Sequence, residues 1–304
     1  MPKGREDTGS ETMLKRLKKA IWISKPAFWI FFPVAYFIGL VASQGQIGVL
    51  EIAQMLLLSI PFSFYSFGLN DIYDIETDKL NSRKRNKFWG EVLDENDTRY
   101  VKRISILIVL TIFASTVISG SIAQVITTTL LLLPAPFLYS APPVRLKSVP
   151  VLDALYYGMH LFAPFAMGFS LYGGFGYLHP FFILFALTFS AGQAIGTVAD
   201  VNEDKKTGIT TFATAFGPRA PALFAALIFL VNIPGAYHLM RSAGVVIAIF
   251  ALLSALIALK PTPNNAARMG AAMMVIFMLE FLFVVIAVPL GFETINYEWL
   301  YSLS

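Results

Sequence analysis

The sequence predicts an all-α fold: a multi-pass transmembrane bundle of nine helices, arranged as two four-helix repeats plus one. Three observations predict it. The chain is 56% hydrophobic and only 14% charged, against about 25% charged in an ordinary soluble domain, and its mean hydropathy is +0.66. Its apolar runs approach the roughly 20 residues that cross a bilayer as a helix. Its basic residues gather on alternate loops between those runs.

Residues 1–20 form a basic tail, and residues 21–304 read as one transmembrane domain with halves at about 21–150 and 151–290. The nine runs lie near 21–43, 49–70, 103–119, 121–139, 151–172, 180–199, 219–240, 242–259 and 267–290. The first is too long for a signal-peptide core and no cleavage pattern follows it, so it is expected to be retained. Short alternating segments, the mark of a membrane β-barrel, are missing from the pattern. Of the 23 basic residues only Arg241 falls on the odd side of this alternation. The excess of Lys and Arg on cytoplasmic loops then predicts a cell-membrane protein with its N-terminus in the cytoplasm and its C-terminus outside. Topology accounts for the net charge of +4, so no nucleic-acid partner is inferred. With no cysteine in the chain, thiolate chemistry and Cys metal sites are excluded.

The second run ends in NDIYDIETD, which places Asn70, Asp71, Asp74 and Asp78 together. Spacings of three and four would stack these side chains on one face if the helix continued. Carboxylates this close, beside a loop dense in Lys and Arg, point to a bound cation. The sixth run ends similarly, in AIGTVADVNEDKKTG, with Asp200 and Asp204 one turn apart and Lys206 following. Both runs descend toward the same membrane face, so the clusters are expected to meet across the interface between halves. Two such clusters suit Mg²⁺, which takes one or two carboxylates and shares its remaining positions with water and phosphate oxygens. A substrate with a phosphate-rich head and a lipid-soluble remainder follows.

Asn70-Asp71-x-x-Asp74-x-x-x-Asp78, with Asn81 and Arg83 beyond it, resembles the first aspartate-rich motif of the UbiA superfamily of intramembrane prenyltransferases. Asp200-x-x-x-Asp204-x-Lys206-x-Gly208 resembles its second, and YSAPPVRLK, Tyr139 to Lys147, is similar to the loop between helices 4 and 5 in the chlorophyll-synthase branch. The resemblance implies an enzyme that ionises a prenyl diphosphate, such as geranyl or geranylgeranyl diphosphate, and passes the prenyl group to a lipophilic acceptor in the lipid bilayer. Asn70, Asp71, Asp74, Asp200 and Asp204 are the implied Mg²⁺ ligands. Asp78 would ligate through water or hold the basic loop. Arg83, Arg145, Lys147 and Lys206 would donate to phosphate oxygens, and Tyr139 would add a hydroxyl.

The acceptor stays open: an aromatic or quinone-type ring, a glycerol lipid or a carotenoid. The segment NSRKRNKFWG lacks the Arg-Pro pair of many aromatic prenyltransferases, and Gly196 stands where quinone-type enzymes often have Tyr. Asn86, Phe88 and Trp89 are therefore expected to carry acceptor preference.

Other residues suggest plainer roles. Lys25-Pro26 reads as a juxtamembrane anchor ahead of a helper at the mouth of the first helix, Asp153 as a cavity-mouth residue or a helix cap, and His160 and His238 as ordinary hydrogen bonders. Glu280 sits within the last run, where a carboxylate is a functional candidate but more simply packs against a partner. A cation or metabolite transporter is the alternative reading, although its acids should lie near the midplane on broken helices. A CDP-alcohol-type phosphotransferase would concentrate its aspartates in one motif.

Overall fold

The computed structural model describes residues 9–80, 93–288, 290–296 and 298. Among the described residues every regular element is helical. The basic tail enters α1 (Gly9–Ile23), and the chain bends by 49° before continuing toward α2 (Phe31–Ala42). The bend has a local cause. Pro26 has no amide hydrogen to give, and Lys25 before it adopts a left-handed backbone, φ 49°. Trp29 secures the corner by donating from its indole to Ser24 Oγ at 2.9 Å.

Helices α3 (Val49–Leu58) and α4 (Ile60–Tyr73) meet at Ser59 and Pro61 and together make a 25-residue span. A short α5 (Ile75–Leu80) follows, and then α6 (Glu95–Ile118). Helix α7 (Ile122–Thr127) widens into a π-helical turn over Thr128–Leu132 and resumes as α8 (Ala135–Ser140). The second half holds α9 (Leu152–Gly173), α10 (Pro180–Thr207), the small α11 (Phe212–Phe216), α12 (Arg219–Leu239), α13 (Arg241–Leu259) and α14 (Pro263–Ala287).

Among the described residues, seven helices are long and apolar enough to cross a membrane, or eight if the bent pair at Lys25 is one span. The sequence suggested nine. The difference is α9, whose 22 residues give it the length. Asp153, His160 and three tyrosines, Tyr156, Tyr157 and Tyr172, dilute its apolar character. Asp153 and His160 face inward and are buried, whereas Tyr172, near the end of α9, is half exposed. The outer surface carries the apolar side chains instead, among them Leu107, Leu110, Leu230, Leu252 and Leu279, each about 60% exposed. A polar interior beneath an apolar exterior is what a bilayer selects.

Helices α2 and α9 cross almost backbone to backbone. A Cβ on Gly39 would fall 2.0 Å from the Phe165 carbonyl oxygen, and one on Gly168 would fall 2.1 Å from that of Tyr36. Small residues permit such approach where lipid offers no hydrophobic drive between helices. Above this crossing, Gln54 accepts from Tyr36 at 2.5 Å and from Gln124 at 2.9 Å, and donates to the Ser115 carbonyl at 3.2 Å. These amides are fully buried and satisfied, so they fix α2, α3, α6 and α7 relative to one another. Helices α10, α12, α13 and α14 share a separate apolar cluster around Ile195, Phe229, Phe250 and Ile257.

Candidate active site

The first acidic cluster lies at the end of α4. Continuation of the helix was expected to stack Asp71, Asp74 and Asp78 on one stripe. The helix instead stops: Asp74 caps it with φ −114° and ψ 7°, its amide turned to the Asp71 carbonyl. The chain restarts as α5, with the Asp78 amide donating to the Asp74 carbonyl at 2.8 Å. The break sends the carboxylates to different partners. Asp71, fully buried, lies 3.4 Å from Lys25 Nζ. Asp74 accepts from Arg145 Nη2 at 3.0 Å and from Lys147 Nζ at 2.5 Å. Lys147 also donates to Asn70 Oδ1 at 3.0 Å, and Ser140 Oγ approaches the same atom at 3.4 Å. Asp78 is buried beside them.

Lys25 and Arg145, two of these three bases, hold left-handed backbone angles, φ 49° and 38°. For residues with a Cβ this conformation costs on the order of 1–3 kcal/mol and collects at functional sites. The sequence favours an anchor for Lys25 over a role at the mouth of the first helix. Its ammonium is instead in the acidic cluster, and it also stands 4.7 Å from the centre of the Phe67 ring. The signal was present: a basic residue directly before a proline at a helix break. Burial pushes the Lys147 ammonium below the ordinary lysine range, while Asp74 draws it back up.

The second cluster lies along the last turns of α10. Gly208 ends that helix in the left-handed region, φ 70°, a conformation glycine adopts without a Cβ penalty. The reversed chain brings Thr211 back to donate to Asp204 Oδ2 at 3.2 Å. One residue on, the Phe212 amide donates to Asp153 Oδ2 at 2.8 Å. Asp153 thus ties the loop after the second cluster to the start of α9. Lys206 points elsewhere, exposed and paired with Glu203 at 3.2 Å. Arg83, Asn86, Phe88 and Trp89 lie outside the described residues.

Tyr139 connects the two clusters. It sits on α8 within electrostatic reach of Asp74, Asp153 and Asp204, and Gln193 Nε2 of α10 lies 3.4 Å from its hydroxyl. The neighbouring face of α10 is open. A Cβ on Gly192 would meet nothing within 4 Å, and one on Gly196 only the Gln193 side chain at 3.5 Å. An apolar cleft lined by Phe31, Val34, Ala35, Ile38, Leu161, Phe185, Phe189 and Phe277 runs between α2, α9, α10 and α14. A second cavity, about 530 Å³, is lined by Arg241, Glu293 and their neighbours. It lies at the far end of α12 from the acidic clusters.

The donor set fits a hard divalent ion. Its oxygens come from Asp and Asn alone, and both clusters occupy C-terminal helix ends, where the helix dipole disfavours an anion unless a cation offsets it. Among the described residues no three carboxylate or imidazole side chains converge into a ready-made cage. That suits Mg²⁺, which completes its shell with water and substrate phosphates.

This arrangement is that of a membrane-embedded transferase. The UbiA prenyltransferase family model matches residues 30–279, and the chain belongs to that family; it is a prenyltransferase. The transporter alternative falls with that membership. The chain is 28% identical over 218 residues to the C(50) beta-cyclic carotenoids biosynthesis protein LbtBC of Dietzia sp. (strain CQ4), an alignment covering 69% of this chain and 48% of that protein. It therefore spans about half the length of that relative. It is 27% identical over 226 residues to a lycopene elongase/hydratase of Corynebacterium glutamicum, covering 72% of this chain and 76% of that one. The fold matches a digeranylgeranylglyceryl phosphate synthase structure with TM-score 0.68 at 17% identity, over 90% of this chain and 99% of that chain. It also matches a UbiA homologue from Archaeoglobus fulgidus bound to DMAPP and Mg²⁺, with TM-score 0.60 at 19% identity, over 86% and 99% of the two chains.

Proposed function

We propose that this prenyltransferase moves the prenyl group of an allylic diphosphate onto the terminal double bond of a long acyclic polyene, a carotenoid-type acceptor, releasing pyrophosphate. The observation that carries the reading is Tyr139, within electrostatic reach of Asp74 and Asp204 and beside Gln193 of α10, whose neighbouring glycines leave open space. A diphosphate belongs at the polar end and an all-carbon acceptor in the apolar remainder. The relatives named as lycopene elongase/hydratases, in Corynebacterium glutamicum and Halobacterium salinarum, favour the polyene over an aromatic ring or a glycerol lipid. Gly196, which offers no hydroxyl to an acceptor, agrees with that choice.

In this reading Asn70, Asp71, Asp74, Asp200 and Asp204 hold Mg²⁺. When bound, the metal supplies the positive charge that stabilises the diphosphate as a leaving group. Lys25, Arg145 and Lys147 are already drawn to the site by carboxylates and donate to phosphate oxygens when substrate arrives. Arg83 belongs with them, Lys206 stands at the rim, and Asp78 orients Lys147 from behind. Tyr139 donates to the leaving oxygen. The rings lining the interior exclude water and stabilise the allylic cation through their faces. The prenyl chain, of geranyl or geranylgeranyl size or shorter, lies in the apolar interior.

The chain crosses the membrane nine times, with α9 as the crossing that buries Asp153 and His160. The N-terminus and the acidic clusters face the cytoplasm and the C-terminus lies outside. The test supplies purified protein with Mg²⁺, prenyl diphosphates of several lengths, and a polyene or an aromatic acceptor. Prenylated polyene with stoichiometric pyrophosphate supports the reading. Turnover with the aromatic acceptor alone would overturn it.

A further inference from the structure

One buried imidazole has no role in the proposed transfer so far. His160 lies on α9, two turns beyond Asp153, and is 5% exposed. Its Nε2 is 3.2 Å from Ser66 Oγ, on α4, one turn before Asn70. Its Nδ1 has no hydrogen-bond partner among the described residues. Aromatic rings enclose it: Phe32, Phe62, Tyr157 and Tyr139 have centroids 6.0, 6.2, 6.3 and 6.5 Å away. Leu161, the next residue, lines the apolar cleft between α2 and α10.

A buried imidazole normally satisfies both nitrogens. Here Ser66 Oγ, 3.2 Å away, can accept Nε2–H. The neutral ring then keeps a bare lone pair at Nδ1 among four aromatic rings, one stacked on it and three edge-on. Aromatic surroundings favour a positive charge, and the unpartnered nitrogen they enclose is a base.

We propose that His160 is a catalytic base of the transfer, taking the proton whose loss ends the reaction. The inference rests on the polyene reading above. As the prenyl C1–O bond breaks, the pair of electrons leaves with pyrophosphate. The acceptor's terminal double bond then supplies the pair that forms the new bond to C1, which leaves a tertiary cation on the acceptor. A C–H bond on the adjacent carbon gives its proton to His160 Nδ1, and its electron pair becomes the new double bond. The imidazolium returns that proton to solvent when the products leave. Its position, beside the Tyr139 ring and hydrogen-bonded to Ser66 one turn before Asn70, puts the base beside the reacting end of the prenyl group rather than beside the diphosphate.

The test is product partition. His160→Gln keeps an amide where Nε2 meets Ser66 but has no basic atom at the Nδ1 position. Reactions run in ¹⁸O-water with a prenyl diphosphate and polyene give three quantities by mass spectrometry and phosphate assay: pyrophosphate released, olefinic product, and ¹⁸O-labelled alcohol. The expected result is at least a tenfold fall in olefinic product per pyrophosphate released, with labelled alcohol rising to replace it. An unchanged partition in His160→Gln would overturn the inference while leaving the prenyltransferase reading intact. A wild type that releases no pyrophosphate with a polyene would remove both. Should His160→Gln not be recovered folded in membranes, His160→Asn, also without a basic atom, is judged by the same partition.

Discussion

Lys147 reaches from the loop between α8 and α9 to Asp74 at the end of α4, its Nζ 2.5 Å from Oδ2 and both side chains nearly withdrawn from solvent. The pair joins the YSAPPVRLK loop to the first aspartate-rich motif. Breaking a buried pair from one side leaves the other charge uncompensated.

Lys147→Ala should therefore destabilise the protein. Arg145 remains 3.0 Å from Asp74, so the expected loss is about 1–3 kcal/mol. Thermal unfolding in detergent measures it, and the double variant Lys147→Ala/Asp74→Asn should recover part of the loss. A double variant no more stable than the single one would show that the pair is not the source.

Asp153 holds the loop after the second cluster through the Phe212 amide, 2.8 Å away. Asp153→Ala removes a hydrogen bond to a charged group, worth about 1.5–3 kcal/mol, and frees the segment that carries Thr211 to Asp204. Diphosphate affinity should fall although Asp153 is not assigned to touch substrate. Asp153→Asn, which retains an acceptor oxygen, should restore most of it. Equal affinity in wild type and Asp153→Ala would make that loop irrelevant to the site.

Much of this site was legible in the sequence. The spacing of Asp71, Asp74, Asp200 and Asp204 follows from periodicity and charge, and the Arg145–Lys147 loop from the resemblance of YSAPPVRLK to the family's loop. The break at Asp74 was not, because no glycine or proline marks it; the carboxylate's partners come from a loop far along the chain. Lys25 reads first as an anchor because its partner Asp71 is on another helix, although Pro26 marks the break beside it. The inward-facing groups of α9 were hidden differently. Periodicity tells which residues share a face, but not that a helix keeps its polar face inside a membrane protein and its apolar face toward lipid.

Gly196 should govern acceptor access. Its open surroundings accept a larger side chain, and replacing an interior helical glycine favours the helix by up to about 1 kcal/mol. Gly196→Leu should leave unfolding stability equal or higher and diphosphate affinity within about threefold of wild type, on the order of 0.6 kcal/mol. Turnover with a polyene should fall by tenfold or more. Unimpaired turnover would place the acceptor elsewhere.

The absence of cysteine from the chain makes topology directly measurable. Single cysteines at Ser148 and Thr207 should react with an impermeant thiol reagent only from the cytoplasmic side, and one at Gly174 only from outside. Labelling of Ser148→Cys and Thr207→Cys from opposite sides would separate the two acidic clusters and end the shared-site account.

The central claim is that the two acidic clusters act together on one allylic diphosphate. Pyrophosphate release from dimethylallyl or geranyl diphosphate, followed by ³¹P NMR with a polyene acceptor present, tests it most directly. The wild type should release pyrophosphate only with Mg²⁺, and EDTA should stop it. Asp71→Ala and Asp204→Ala, one from each cluster, should each lose at least a hundredfold, about 2.7 kcal/mol of transition-state stabilisation. Release that persists in EDTA, or that survives intact when either cluster is removed, would contradict the account.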